Sequence, residues 1–116
     1  MNRKKTRKKC IKLYRKTVVS ITYKLLKGTN EKEEIKITGS IVTEMINSFT
    51  EYLFSFEQQV MTESEQEILT NILNEYLLRI SGKVESYVPE KEDLLYVAMK
   101  LGKMIIKTNK IIAENE

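Results

Sequence analysis

The chain has 116 residues, of which 41% are apolar and 31% are charged, proportions typical of one soluble globular domain. It contains no His, no Trp and a single Cys, which excludes the common metal sites and nucleophile–base pairs, so we expect no enzymatic activity, metal or cofactor. The net charge of +4 conceals a segregation: residues 1–30 hold eleven basic and no acidic residues, whereas residues 31–93 hold five basic and fourteen acidic ones.

The first predicted element is a helix over residues 8–27. An apolar stripe recurs there at spacings of three and four, which is the period of a helix. Its members are Ile11, Tyr14, Val18, Ile21 and Leu25. Gly28 follows, and a glycine at this place is typical of the left-handed residue that ends a helix.

A second helix is predicted over residues 40–59, with Ser40 as its N-cap. Residues 35–38 and 84–88 alternate apolar and polar side chains, so a short strand pair between them is conceivable but marginal without further strands. The second helix carries the most apolar face of the chain. Its inward positions are Ile41, Val42, Met45, Ile46, Phe49, Leu53, Phe56 and Val60.

The third helix is predicted to begin at Thr62 and to end at Ser81 and Gly82. Thr62 and Glu65 match a capping box, in which a hydroxyl and a carboxylate three residues later satisfy each other's free backbone N–H groups. The side that faces the core is formed by Leu69, Ile72, Leu73, Tyr76 and Ile80.

The fourth helix is predicted over residues 89–113, with Pro89 in the first helical position. Gly102 lies where a close helix crossing would need a missing side chain. The inner stripe is Leu94, Val97, Ala98, Leu101, Met104, Ile105 and Ile112. Four amphipathic helices with short loops predict an all-α, compact antiparallel four-helix bundle. We expect one helical domain over residues 10–116, preceded by a basic arm over residues 1–9, with Phe49, Leu53, Leu73 and Leu101 buried.

The basic arm and its continuation on the first helix are the main candidate binding site. A row of cations releases condensed counterions when it contacts phosphates, which gives affinity without sequence preference. The candidate residues are Arg3, Lys4, Lys5, Arg7, Lys8, Lys9, Lys12, Arg15 and Lys16. The alternative is a solvated terminus that only aids solubility.

A second candidate phosphate track is the lysine stripe of the fourth helix, formed by Lys100, Lys103, Lys107 and Lys110, with no acidic residue between positions 94 and 113. Tyr96 lies one turn before it, where an aromatic ring can stack on an unpaired base. The alternative is an ordinary exposed lysine face.

The clustered carboxylates are interpreted as helix-end groups rather than as metal or catalytic sites, because both sets fall in predicted first turns. They are Glu63, Glu65 and Glu67 in the third helix and Glu90, Glu92 and Asp93 in the fourth. The acidic middle, including Glu44, Glu51 and Glu57, is a possible surface for a basic protein. Seven aromatic residues are mostly expected in the core by their spacing, and Tyr52 or Phe54, if exposed, would anchor an interface. They are Tyr14, Tyr23, Phe49, Tyr52, Phe54, Phe56 and Tyr76.

Cys10 has no partner for an intramolecular disulfide, which favours a reducing compartment, and we expect a cytoplasmic protein. The abundance of Lys, Ile, Asn and Glu suggests an AT-rich bacterial, phage or plasmid source. Residues 36–40, read as a turn before a helix, resemble the start of the small helical subunits of type III CRISPR effectors, although the Arg that usually follows is absent. The basic four-helix plan is similar to bacteriocin immunity proteins. Neither resemblance implies a role for a particular residue.

The leading hypothesis is a small non-enzymatic protein whose basic arm engages nucleic acid or a nucleoprotein complex without strong sequence preference. The bundle would then serve protein contacts or self-association. One alternative is a protein-binding inhibitor or immunity-type factor of a mobile genetic element, acting through its acidic middle or an exposed apolar helix face. Another, less favoured, is a peripheral membrane protein attached through the basic amphipathic first helix.

Overall fold

A computed structural model describes residues 3–54 and 63–114, apart from the side chains of residues 3, 50–54 and 65–66. These residues form four helices, and the predicted all-α four-helix bundle is confirmed. The helices are α1 (Arg3–Leu25), α2 (Lys32–Phe54), α3 (Glu63–Lys83) and α4 (Lys91–Glu114). None of the helices, as far as the structure describes them, is long and apolar enough to cross a membrane.

The helices form a four-membered ring in which α1 contacts α2 and α4, while α3 contacts α2 and α4. Each contributes an apolar side to one shared core. The largest fully buried apolar side chains are Ile21, Val42, Met45, Ile46, Phe49, Leu73, Ile80, Val84, Val97 and Leu101. The expected burial of Phe49, Leu73 and Leu101 is confirmed, while the side chain of Leu53 lies outside the described part.

The first helix is longer than predicted, because it begins at Arg3 rather than near residue 8. Residues 3–9 are therefore the first two turns of α1, in line with the good helix propensity of Lys and Arg. The helix ends at Leu25, and Gly28 has a φ of +90°, which confirms its left-handed conformation. Ile11 and Tyr23 were expected in the core, but both are exposed.

The second helix begins at Lys32, so the predicted start at Ser40 is wrong. Glu33 and Glu34 stabilise its first turn through the helix dipole, and the Thr29 hydroxyl accepts a hydrogen bond from the Glu31 N–H. The marginal strand pair is also wrong, because residues 35–38 are helical and residues 84–88 form a turn and loop. Residues 36–40 form no turn, so the first of the two resemblances loses its structural basis.

The remaining helix ends differ from prediction by a few residues. Ser81 and Gly82 lie inside α3, which continues to Lys83. Helix α4 begins at Lys91, two residues after Pro89. Thr62 lies outside the described residues, as do Glu57 and the predicted inward positions Phe56 and Val60, and the side chains of Glu51, Tyr52, Phe54 and Glu65 are not described. Gly102 does not serve a close crossing, because a Cβ there would meet nothing within 4 Å.

Candidate nucleic-acid interface

The candidate cations of the N-terminal segment lie on α1, and those whose side chains are described are exposed to solvent. Because α1 is helical from Arg3 onward, these residues have the regular spacings of a helix. The exposed ones are Lys4, Lys5, Arg7, Lys8, Lys9, Lys12, Arg15 and Lys16. The first buried side chain of α1 is Cys10, so the two turns before it contribute charge but little to the core.

The lysine stripe of α4 is also largely at the surface. Lys103, Lys107 and Lys110 are exposed, whereas Lys100 is half-buried. The residues that separate them, Leu101, Met104 and Thr108, are buried in the bundle. Core contacts therefore hold the helix that carries the stripe in place beside α1.

Tyr96 of α4 links the two basic helices. The Lys24 ammonium of α1 lies 5.5 Å from the centroid of the Tyr96 ring, and the Lys100 ammonium lies 5.7 Å from the same centroid. Both distances lie within the ~6 Å range of cation–π attraction. The half-buried ring thus holds two cations from different helices close together.

This contact sets the register of the two basic rows. The last turn of α1 meets the first turns of α4 at this contact, and the two helices pack along each other, so we infer that they run antiparallel. Moving back along α1 from Lys24 and forward along α4 from Tyr96 then leads in the same direction. At a rise of about 1.5 Å per residue, Lys9 lies ~22 Å and Lys110 ~21 Å from the contact. The rows Lys9–Lys16–Lys24 and Lys100–Lys103–Lys107–Lys110 therefore run side by side along one seam. We call these seven residues the basic face.

The other cations of α1 do not all join this face. Arg15 lines a groove of about 410 Å³ between α1 and α2, together with the exposed Ile11 and Val19. Since α2 and α4 flank α1 on different sides, Arg15 lies away from the seam. The predicted cations of α1 therefore lie on two sides of the helix. Lys9 and Lys16 lie toward α4, while Arg15 lies toward α2.

No acidic residue interrupts the basic face. The sequence has none between positions 1 and 30 or between 94 and 113. Within the described residues, no carboxylate forms an ion pair with any member of the basic face, and an ion pair elsewhere in the bundle joins Arg79 of α3 to Glu44 of α2 at 2.9 Å. The seven ammonium groups are therefore not neutralised by neighbours and remain available to an anion.

The carboxylates at the start of α4 have a structural role. The Asp93 side chain accepts a hydrogen bond from the Glu90 N–H at 3.1 Å, while the Glu90 carbonyl accepts bonds from the first turn. This is the carboxylate half of a capping box. Across the described residues, no group of three or more Asp, Glu, Cys or His side chains has the arrangement of a metal site.

Sequence reasoning missed Lys24 as a member of the face. It lies eight residues after Lys16, which turns it about 80° around α1, so the spacing of the lysines gave no signal for it. Its contact with Tyr96 depends on which helices are neighbours, which the sequence pattern does not specify. Comparison with known proteins finds no matching family model, no similar curated protein and no similar solved structure.

Proposed function

We propose that this protein binds the sugar–phosphate backbone of nucleic acid through the basic face, without strong sequence preference. The observation that carries the proposal is the alignment of two unneutralised lysine rows, from α1 and α4, along one seam. Cations in a row along a helix can neutralise successive phosphates of a nucleic-acid strand and release its condensed counterions. The exposed cations of the first turns of α1 add further positive charge beside the array.

Lysines on helices suit phosphate contacts better than base readout. Lysine ammonium groups act as compact point charges, whereas direct base recognition uses side chains inserted into a groove. No short helix followed by a tight turn and a recognition helix is present among the described residues, since each of the four helices has at least 21 residues. The proposed binding is therefore electrostatic and general.

The test is a salt titration of binding to a fluorescein-labelled DNA duplex, followed by fluorescence anisotropy. If six to ten cations contact phosphates, the affinity is expected to fall by about 10³- to 10⁵-fold between about 50 and 200 mM salt. A second duplex of scrambled sequence is expected to bind equally well. Absence of binding at low salt would overturn the proposal.

A truncated protein lacking residues 1–9 tests the contribution of the first turns. The deletion removes six basic residues but no buried side chain among those described, so circular dichroism is expected to show an intact fold. The salt slope is expected to become shallower, by up to ~0.9 for each duplex phosphate that the shortened protein leaves unneutralised. Vesicles containing phosphatidylserine are the comparison ligand, and binding to them but not to the duplex would favour membrane attachment instead.

A second candidate function, self-association, is favoured by the outer side of α4. Leu95, Met99 and Ile106 are 59%, 46% and 69% exposed there, and the space above Gly102 between them is open. Gly102 lies at the middle of α4, so antiparallel pairing with α4 of a second copy would bring Met99 of one copy against Ile106 of the other. Sedimentation of the wild type and Ile106→Lys tests this: a dimer that the substitution dissociates supports it, and a monomeric wild type contradicts it.

A further inference from the structure

Tyr23 is an aromatic ring that the bundle leaves in solvent. Its side chain is 64% exposed, more than that of any other tyrosine whose side chain the structure describes. Within the described residues it takes part in no hydrogen bond and no cation–π contact. The fold therefore gains little from the aromatic ring at this position, and the ring is accessible to a ligand.

Tyr23 lies next to the basic face. It directly precedes Lys24, which contacts Tyr96, and it follows Lys16 by seven residues, close to two helical turns. Lys27 lies four residues later and is exposed. A phosphate chain that follows the lysine row of α1 would thus pass the ring of Tyr23.

Tyr96, the aromatic residue expected to stack on a base, is less suited to that role. Its ring is half-buried and packs against the core, and two ammonium groups already lie over it. A base would have to displace Lys24 or Lys100 to reach it. Tyr23 needs no such displacement.

We propose that Tyr23 stacks on an unpaired base and that the basic face is therefore selective for single-stranded nucleic acid; the inference rests on the phosphate binding proposed above. Proteins that bind single strands without sequence preference usually combine two features: basic residues that follow the backbone and an aromatic ring that stacks on the bases. In a duplex the bases are stacked on each other, so the ring would find no partner and only the phosphates would be bound.

The test compares the wild type, Tyr23→Ala and Tyr23→Phe by fluorescence anisotropy with three probes of equal length: labelled oligothymidylate, an abasic oligonucleotide and a DNA duplex. Loss of one stacked base is expected to weaken oligothymidylate binding about 5- to 150-fold in Tyr23→Ala. Binding of the abasic strand and of the duplex is expected to stay unchanged. Tyr23→Phe is expected to bind like the wild type, because it keeps the ring.

Val19→Ala is the matched control, since Val19 is an exposed apolar residue one turn away on α1. It is expected to leave the binding of all three probes unchanged. If Tyr23→Ala weakens all probes equally or none of them, the stacking role is wrong while the phosphate binding stands. If the wild type binds none of the probes at low salt, the phosphate binding fails and the stacking role fails with it.

Discussion

The helix pair α1 and α4 and the helix pair α2 and α3 share one core but carry opposite charge. The first pair contains fifteen basic and three acidic residues, and the second contains four basic and eight acidic ones. In the second pair, Glu44 and Arg79 neutralise each other across the helices, whereas the lysine rows of the first pair face each other without carboxylates. Burial therefore specifies the fold on all four helices alike, whereas the excess positive charge of α1 and α4 is left for a ligand or for salt to offset.

The largest expected effect tests whether the two pairs share one core. Phe49→Ala in α2, Leu73→Ala in α3 and Leu101→Ala in α4 each remove a side chain that is at most 1% exposed. Each is expected to lower the free energy of unfolding by ~2–5 kcal/mol, through reduced burial and the cavity left behind. Urea unfolding followed by circular dichroism measures this. A cost confined to one pair would show that the core is divided.

The second effect tests whether the charge of the first pair has a function. Replacing Lys100, Lys103, Lys107 and Lys110 with Gln removes four charges but keeps good helix formers. The salt slope of duplex binding is expected to become shallower by up to ~0.9 for each of these lysines that neutralises a phosphate in the wild type, with little change in stability.

A matched control removes four exposed lysines that lie outside the basic face. These are Lys32, Lys36, Lys83 and Lys91. Since both variants lose the same net charge, a smaller effect of the control would show that position matters and not total charge alone. Equal effects in the two variants would contradict a defined basic face.

A smaller effect concerns buried hydroxyl groups on α2 and α1, one helix of each pair. Thr38 of α2 is fully buried, and its hydroxyl has no hydrogen-bond partner among the described residues; the same is true of the Thr22 hydroxyl on α1. Burying such a hydroxyl costs ~1–3 kcal/mol. Thr38→Val is therefore expected to raise the free energy of unfolding by about 1 kcal/mol in urea titrations.

Thr17→Val is the control for the rise in the free energy of unfolding expected of Thr38→Val. The Thr17 hydroxyl is also buried, but it donates a hydrogen bond to the Leu13 carbonyl at 2.9 Å. Its removal is expected to bring no stabilisation. If both valine variants gain equally, the missing hydrogen bond at Thr38 is not the cause.

The smallest effect concerns Tyr87, which lies in the loop that joins α3 to α4. This effect is absent at neutral pH. Burial raises the pKa of the Tyr87 hydroxyl, and the nearby Asp93 and Glu90 carboxylates raise it further. Stability from this group is complete below pH ~10, where an unfolded tyrosine keeps its proton, and is lost as the pH rises above that value. Tyr87→Phe is expected to reduce the alkaline fall in melting temperature, whereas the surface substitution Tyr23→Phe is not.

The sequence predicted the bundle because the apolar spacing of each helix is regular, and Phe49, Leu73 and Leu101 are buried as expected. It failed at the start of α2, where Gly39 and the alternation of residues 35–38 suggested a boundary. Ile35, Thr38 and Val42 also fit a helical period, and packing decided between the two patterns. Thr38 occupies an inward position of this helical period. Because threonine is a polar residue, the period is hard to recognise in the sequence.

The candidate site was predictable in composition but not in arrangement. The excess of lysine in α1 and the stripe in α4 are visible in the sequence. Their alignment depends on α1 and α4 being neighbours, which long-range contacts determine. For the same reason, the helical pattern placed Tyr23 with the core aromatics, and its exposure is known only from the packed bundle.

The reactivity of the Cys10 thiol reports on the movement of α1. Cys10 is the single thiol of the chain, it is 7% exposed, and burial raises its pKa, with a hydrogen bond from Tyr14 acting in the opposite direction. The Cys10 thiolate attacks the electrophilic atom of a thiol reagent, so burial slows the reaction until the N-terminal half of α1 moves away from the bundle. The rate of Cys10 modification therefore reports on this opening. A ligand that bridges α1 and α4 would lower that rate without contacting the cysteine.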